Sequence, residues 1–199
     1  MELSDNKKTY ISQTGASYPR ITNVINDIIG FDFSCIAKKY LEQAIDFGNN
    51  IHSMISLDIK GILDESKLTS DMIKILDSWR DITREYKFIA SEMVVFYDRA
   101  GMKFAGTLDI VADINGEITL IDIKTSAVVV LHTCGPQTAA YQKAYNNMDD
   151  NKEKQKITKR GIFQIKSERD IKYYTLKNKR DYDIFLNCLN LYNWKNNKY

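Results

Sequence analysis

Apolar positions in the first part of the chain recur with helical spacing. Ile21, Val24, Ile25 and Ile28 fall on one face of a helix that Ser17-Tyr18-Pro19-Arg20 introduces and Gly30 closes. A second helical stretch runs from about Ser34 towards Ile59, with Ile51 and Ile55 four residues apart and Gly61 beyond its end. A third follows the cap-like run Thr69-Ser70-Asp71 and carries Met72, Ile75, Leu76 and Trp79. The period then changes. Ile89 to Tyr97, rich in β-branched and aromatic residues, reads as a strand, Arg99-Ala100-Gly101 as a turn and Lys103 to Ile114 as a second strand. Asn115-Gly116 suits a type I′ turn, which needs positive φ twice, and leads into a third strand from Glu117 to Thr125. The three strands make an antiparallel meander.

Pro136 predicts the first turn of a helix running through Gln137 to Asn147, where a missing amide hydrogen costs nothing. Gly161 to Lys166 and Lys172 to Leu176 read as two further strands. A closing helix carries Tyr182, Phe185, Leu186, Leu189 and Tyr192. The crossover from the third strand through the Gln137 helix predicts that the third and fourth strands run parallel, with a right-handed connection. The expected fold is therefore α/β, a central mixed five-stranded sheet flanked by helices. It forms a single domain, helical over 1–85, with the sheet core and last helix over 86–199. Two prolines in 199 residues leave no proline-rich linker to divide it.

Composition adds little. The hydrophobic fraction is 44%, the charged fraction 27% and the formal net charge +2, so the chain does not advertise a polyanionic partner by charge alone. Lys152 to Arg160 concentrates five basic residues with one glutamate, either a solvated loop or a rim that contacts phosphate. Cys35, Cys134 and Cys188 lie too far apart for a zinc ribbon, and an odd count with a polar N-terminus predicts free thiols in a reducing cytoplasm. No apolar run approaches the length of a membrane span.

The chemistry lies in the second and third strands of the meander. Side chains alternate along a strand, so Ile121 and Ile123 share one face while Asp122 and Lys124 share the other. A carboxylate and an ammonium in an apolar strand are costly to bury unless paired or bound to something. Asp109 interrupts Leu108, Ile110 and Val111 in the same way. With a two-residue turn at Asn115-Gly116, Asp109 comes opposite Asp122. Two converging carboxylates stay ionised only around a cation, and hard oxygen donors favour Mg²⁺ or Mn²⁺. Such an ion can polarise a phosphoryl oxygen and lower the pKa of water, and Lys124 can offset charge in the transition state. A plain structural Asp–Lys ion pair is the alternative for Asp122 and Lys124 alone.

These residues stand in a recognisable order. Gly106-Thr107-Leu108-Asp109, then Asp122-Ile123-Lys124-Thr125-Ser126, then Gln137-Thr138-Ala139-Ala140-Tyr141 resemble the GxxD, (D/E)xK and QxxxY motifs of RecB-type nucleases, a branch of the PD-(D/E)XK superfamily. Gly48-Asn49-Asn50-Ile51-His52 resembles the GxxxH motif of the same branch, and the likeness spans about His52 to Tyr145. Leu108 replaces the proline of the superfamily's name, and the second acid is aspartate rather than glutamate. The resemblance implies a restriction-endonuclease-like core and catalytic Asp109, Asp122 and Lys124. It implies a metal held by Asp109, Asp122, the Ile123 carbonyl, His52 and Glu92. The cysteines lack the clustered set that holds an iron–sulfur cluster in some members, so none is expected.

Several residues keep two readings. His52 sits beside the apolar face of its helix and can be a satisfied core histidine or lie at the metal. Glu92 interrupts its strand as Asp109 does, as a metal ligand or a surface ion pair. Gln137 and Tyr141 share a helix face suited to a phosphate and a sugar or base, whereas Tyr145 fits the core. Arg20 is a phosphate ligand or an ordinary surface arginine. The expected activity is a Mg²⁺- or Mn²⁺-dependent DNA exonuclease leaving 5′-phosphates, in recombination, repair or replication. Single-stranded DNA or duplex ends are the expected partners, with a single-strand-binding or recombination protein beside them. A non-catalytic nucleic-acid-binding module and a restriction-type endonuclease are the competing readings.

Overall fold

Short-range sequence signals set most of the elements. The computed structural model describes residues 1–4, 9–32, 36–148 and 155–196. Three short strands, β1 (Glu2–Leu3), β2 (Thr9–Ile11) and β3 (Ser17–Pro19), form a small antiparallel sheet. Their two or three residues are too few to show a period in the sequence, which is why Ser17 to Arg20 read as a helix lead-in. Then come α1 (Ile21–Ile29), α2 (Lys38–Ile59) and α3 (Ser70–Thr83). The Thr69 hydroxyl accepts the Met72 amide and so caps α3. The expected start of α2 near Ser34 lies outside the described residues.

The main sheet has the order β4-β5-β6-β7-β8, with β4 (Lys87–Arg99), β5 (Met102–Ile114), β6 (Glu117–Lys124), β7 (Lys159–Ser167) and β8 (Asp170–Thr175). The two hairpins turn on positive φ at Ala100-Gly101 and Asn115-Gly116. β6 and β7 are parallel and the other neighbours antiparallel, the expected mixed sheet. α4 (Leu131–Asn147) makes the crossover, and α5 (Asp181–Lys195) follows β8.

One face of the sheet packs through Phe104, Leu108 and Leu120 against α1, α4 and α5. The other packs through Ile110, Ile121 and Phe163 against Ile51 and Ile55 of α2 and Trp79 of α3. β6 separates the two cores by its alternation, Leu120 facing one and Ile121 and Ile123 the other.

Two expectations need correction. Pro136 is the sixth residue of α4 rather than an opening one, because the helix already starts at Leu131. It removes only the bond to the His132 carbonyl, in the second turn, and the helix continues. The Lys152 to Arg160 stretch is not a uniform solvated loop, although Lys152 and Lys154 lie outside the described residues. Ile157 is buried, and buried Arg160 pairs with Asp181 at 2.9 Å while donating to the carbonyls of Gly135 and Asn178. That arginine clamps β7 to α4 and α5. Cys134 and Cys188 are buried free thiols, and Cys35 lies outside the described residues. No helix among the described residues is long and apolar enough to cross a membrane.

Candidate active site

The site forms where the sheet opens. The β5–β6 ladder runs from Ile114↔Glu117 to Ile110↔Ile121 and stops, one step short of the expected Asp109–Asp122 pair. Instead an Asp109 carboxylate oxygen accepts the Ile123 amide at 2.7 Å, taking the place of a ladder carbonyl. On the other side, the β4–β5 register pairs Ser91 with Ile110 and Met93 with Leu108 but skips Glu92 and Asp109 between them. Glu92 has φ +50°, a left-handed conformation that a non-glycine residue adopts at a cost. Side-chain alternation slips at this point. Leu108 and Val111 face the same core, although three residues apart, and Ala90 and Met93 do likewise. The break turns both acids out of the regular pleat towards α2.

There they meet His52. Its Nδ1 lies 3.5 Å from Asp109 and 3.8 Å from Glu92. These three residues make a group with ligand atoms all within 4.8 Å of one another. Asp122 stands apart from it in a second set. One of its oxygens meets Lys124 Nζ at 2.7 Å, and the other accepts the Gln137 amide at 3.0 Å. Gln137 also reaches the Tyr141 hydroxyl at 3.4 Å. Asp122 is only 2% exposed, while the side chains of His52 and Lys124 are 30% and 27% exposed and look into an open polar cavity of about 590 Å³. Arg20 and Tyr141 also line it. Ile123, whose carbonyl was the other expected ligand, stands between Asp122 and Lys124 in β6.

The two glycines of the quoted motifs have packing reasons. A Cβ on Gly106 would come within 2.5 Å of the Tyr141 ring, so only glycine lets that tyrosine lie against β5. A Cβ on Gly48 would come within 2.9 Å of the Thr125 hydroxyl, so glycine seats α2 on the end of β6. Beyond Lys124, the buried Gln164 amide donates to the carbonyls of Ser126 and Ala127 and fixes the turn that follows the strand.

Burial alone would depress the His52 imidazolium, but the charge of Asp109 and hydrogen bonds to Asp109 and Glu92 push its pKa up to about 10. Burial opposes ionisation of Asp109, yet His52 and Lys124 hold its carboxyl below the usual range. Burial raises Asp122, and the negative charge of Asp109 adds to the rise against the pull of Lys124. Partial desolvation at the cavity wall works against the Lys124 ammonium, but Asp122 and Asp109 push its pKa up and keep it protonated. Burial beside these carboxylates also lifts Tyr141 well above its ordinary value, so its phenol is a donor rather than a base.

The donor set suits a hard divalent cation. It offers carboxylate oxygens and one imidazole and no thiolate. Asp122 Oδ2 is buried and faces the Lys124 ammonium at 2.7 Å, so a cation bound there would share that oxygen with Lys124. Residues that motif reading missed also line the cavity. Asn49, Ser53, Ser56 and Lys60 continue the His52 edge of α2. Their spacing of three or four residues was the available signal, hidden beside the apolar stripe of Ile51 and Ile55.

A sheet that opens over an acidic cluster with a lysine at its side is how one large class of nucleases is built. The chain belongs to that class, the PD-(D/E)XK nuclease superfamily, whose sequence model matches residues 58–187. His52 lies just before the matched segment. A solved protein from Eubacterium rectale, provisionally described as an exonuclease, is similar over 100% of this chain and 88% of its own, with 14% identity and a TM-score of 0.54. At that identity the likeness is one of fold. A second structure, that of SSO0001, covers 86% of this chain and 75% of its own at 14% identity, with a TM-score of 0.41, too low to build on. No curated protein matches the sequence.

Proposed function

We propose that the chain is a Mg²⁺- or Mn²⁺-dependent deoxyribonuclease, an exonuclease whose products carry 5′-phosphates. The observation that carries this reading is the juxtaposition of the His52–Glu92–Asp109 group with the Lys124–Asp122 ion pair in one open cavity. His52, Glu92, Asp109 and Asp122 would hold the cation, with the Ile123 carbonyl beside them. When bound, it supplies Lewis-acid polarisation of the phosphoryl group and a nucleophile near neutral pH.

The other roles fall to side chains of the chain itself. Lys124 faces the scissile phosphate and stabilises the negative charge that grows on it. Gln137 holds Asp122 in place. Tyr141, protonated, and Arg20 at the rim contact the strand through its phosphates. Water is added across the P–O3′ bond. Phosphorus keeps the 5′-oxygen of its nucleotide, and the 3′-oxygen leaves with a proton.

The exonuclease reading draws on the QxxxY likeness at Gln137 and Tyr141 and on the description of the E. rectale protein. End-labelled linear and circular DNA, single- and double-stranded, incubated with Mg²⁺, Mn²⁺ or EDTA, tests it. Metal-dependent release of mononucleotides from linear substrates, with circles intact, is expected. Nicked circles would point to an endonuclease, and binding without cleavage under every metal to a binding module.

A further inference from the structure

A second cavity, about 800 Å³, lies behind α4 at the opposite end of the sheet from the site described. α4 is the wall between the two. Gln137 and Tyr141 line the active-site cavity, and Gln142, Lys143 and Asn146 line the other. The start of β7 and the loop after β8 complete it. Lys143, Lys156, Lys159, Lys177 and Lys179 all border it, and none of its described lining residues is acidic. For a chain of net charge +2 this is a marked local concentration. Lys159 is answered by Glu117 at 3.2 Å. Among the described residues, Lys143, Lys156, Lys177 and Lys179 make no ion pair, and Lys143 lies over the rings of Tyr97 and Tyr182.

The lysines are held on a fixed frame. The buried Arg160 donates to the Asn178 carbonyl at 3.1 Å, and Leu176 donates to the Arg160 carbonyl at 2.9 Å. The segment bearing Lys177 and Lys179 is thereby tied to β7. On the other wall, Asn146 exchanges two hydrogen bonds with Ile157 and so ties the Lys156 segment to α4. Several ammonium groups brought together from separate segments suit several phosphates in series better than one. Lysines act there as point charges that position a backbone without reading bases.

The geometry points to a second binding site on this cavity for the phosphodiester backbone of the nucleic acid being degraded, remote from the cleavage site. The inference rests on the proposed nuclease reading for the identity of the ligand. Gln137 and Asn146 are about 14 Å apart along the helix axis, on opposite sides of a helix about 10 Å across. A strand engaging both cavities would therefore run over about five nucleotides at the stacked rise of about 3.4 Å each. Short strands would use the active site alone, and long strands both.

The test is equilibrium binding of fluorescein-labelled single-stranded oligonucleotides in EDTA. Strands of about three and about thirty nucleotides are compared with the wild type and with the triple variant Lys156→Gln, Lys177→Gln, Lys179→Gln. Losing three phosphate contacts should lower the slope of log affinity against log salt by about 2 and weaken long-strand binding roughly a hundredfold at about 0.1 M salt. Short-strand binding should not change. The corresponding Lys→Arg triple variant should bind long strands like the wild type. Equal slopes for wild type and Gln variant would overturn the proposal, as would an Arg variant as weak as the Gln variant, since the loss would then be one of folding. Inorganic phosphate or a mononucleotide binding more tightly than the long strand, through the same lysines, would make the cavity a small-phosphate site and equally refute it. Cleavage plays no part in this measurement, so a chain that never cuts would refute the active-site reading and leave this result standing.

Discussion

The Gln137 side-chain amide donates to an Asp122 oxygen at 3.0 Å, inside the protein rather than towards a ligand. From the sequence, Gln137 was expected to grip the substrate. In the structure it fixes a carboxylate, leaving the other Asp122 oxygen to Lys124. A hydrogen bond to a charged group contributes about 1.5–3 kcal/mol. Gln137→Ala should therefore lower kcat roughly ten- to a hundredfold and weaken Mn²⁺ binding, with little change in KM. Steady-state kinetics and Mn²⁺ calorimetry check this, and a pure KM effect would return Gln137 to the substrate.

Asp109→Asn and Asp122→Asn should each abolish cleavage. Relief of repulsion between two carboxylates would predict a gain in stability, and the structure argues against that gain. Asp109 accepts the Ile123 amide and faces a cationic His52, while Asp122 is the counter-charge of Lys124. Asp109→Asn leaves the His52 imidazolium with Glu92 alone, and Asp122→Asn takes the 2.7 Å partner from Lys124. Metal-free stability should fall by about 1–3 kcal/mol in each case. Denaturant unfolding in EDTA measures it, and variants more stable than the wild type would show that carboxylate repulsion dominates after all.

His52 makes metal binding a proton-release event. With its pKa at about 10 it is an imidazolium at neutral pH and has no lone pair to give until the proton leaves. Mn²⁺ binding near pH 7 should release close to one proton and tighten as pH rises. Calorimetry in buffers of different ionisation enthalpy counts that proton, and in His52→Gln the release should vanish. The same shift governs metal-free stability. An unfolded histidine titrates at about 6.5, so between about 6.5 and 10 the folded chain holds a proton that the unfolded chain has lost. The contribution of this pair is complete below about 6.5 and is lost as pH rises through about 10.

Lys124 should separate chemistry from metal binding. An ammonium has no lone pair and cannot be a ligand, but it neutralises Asp122. Lys124→Ala should leave Mn²⁺ affinity unchanged or tighter, because Asp122 loses a competitor. Its single-turnover cleavage should fall about a hundredfold or more, the scale of one preorganised electrostatic group. A variant that cleaves at the wild-type rate would remove Lys124 from the mechanism.

How far the sequence foretold this arrangement depends on the range of each signal. The five-stranded mixed sheet and the flanking helices were legible because their cues are local. Asn115-Gly116 set a hairpin, Thr69 a cap, and the isoleucines of α2 a face. The partners of Asp109 were less legible. The turn register pointed to Asp122, and only the motif likeness at Gly48 to His52 offered the histidine; a break at Glu92, with its positive φ, brings both acids to His52, 40 residues before Glu92 and 57 before Asp109. Nothing in a strand's alternation announces such a break. Arg160 was misjudged for a similar reason, since its partner Asp181 lies on another element and only the folded chain joins them.

Gly106 offers the sharpest test of how the motif holds its site together. A Cβ there would press into the Tyr141 ring at 2.5 Å, with Ile21 at 3.3 Å behind it. Tyr141 is almost fully buried and cannot swing aside without leaving Gln137, whose amide reaches its hydroxyl. Gly106→Ala should cost about 1–3 kcal/mol of stability, the range for overpacking a filled core. It should also lower kcat, because the displaced ring disturbs the Gln137–Asp122 bond. The two effects share one cause, so Tyr141→Leu in the same chain should recover much of the stability and none of the activity. A double-mutant cycle on unfolding free energy reads this directly. If the costs of Gly106→Ala and Tyr141→Leu simply add, the glycine is needed for its backbone rather than for the space it leaves the tyrosine.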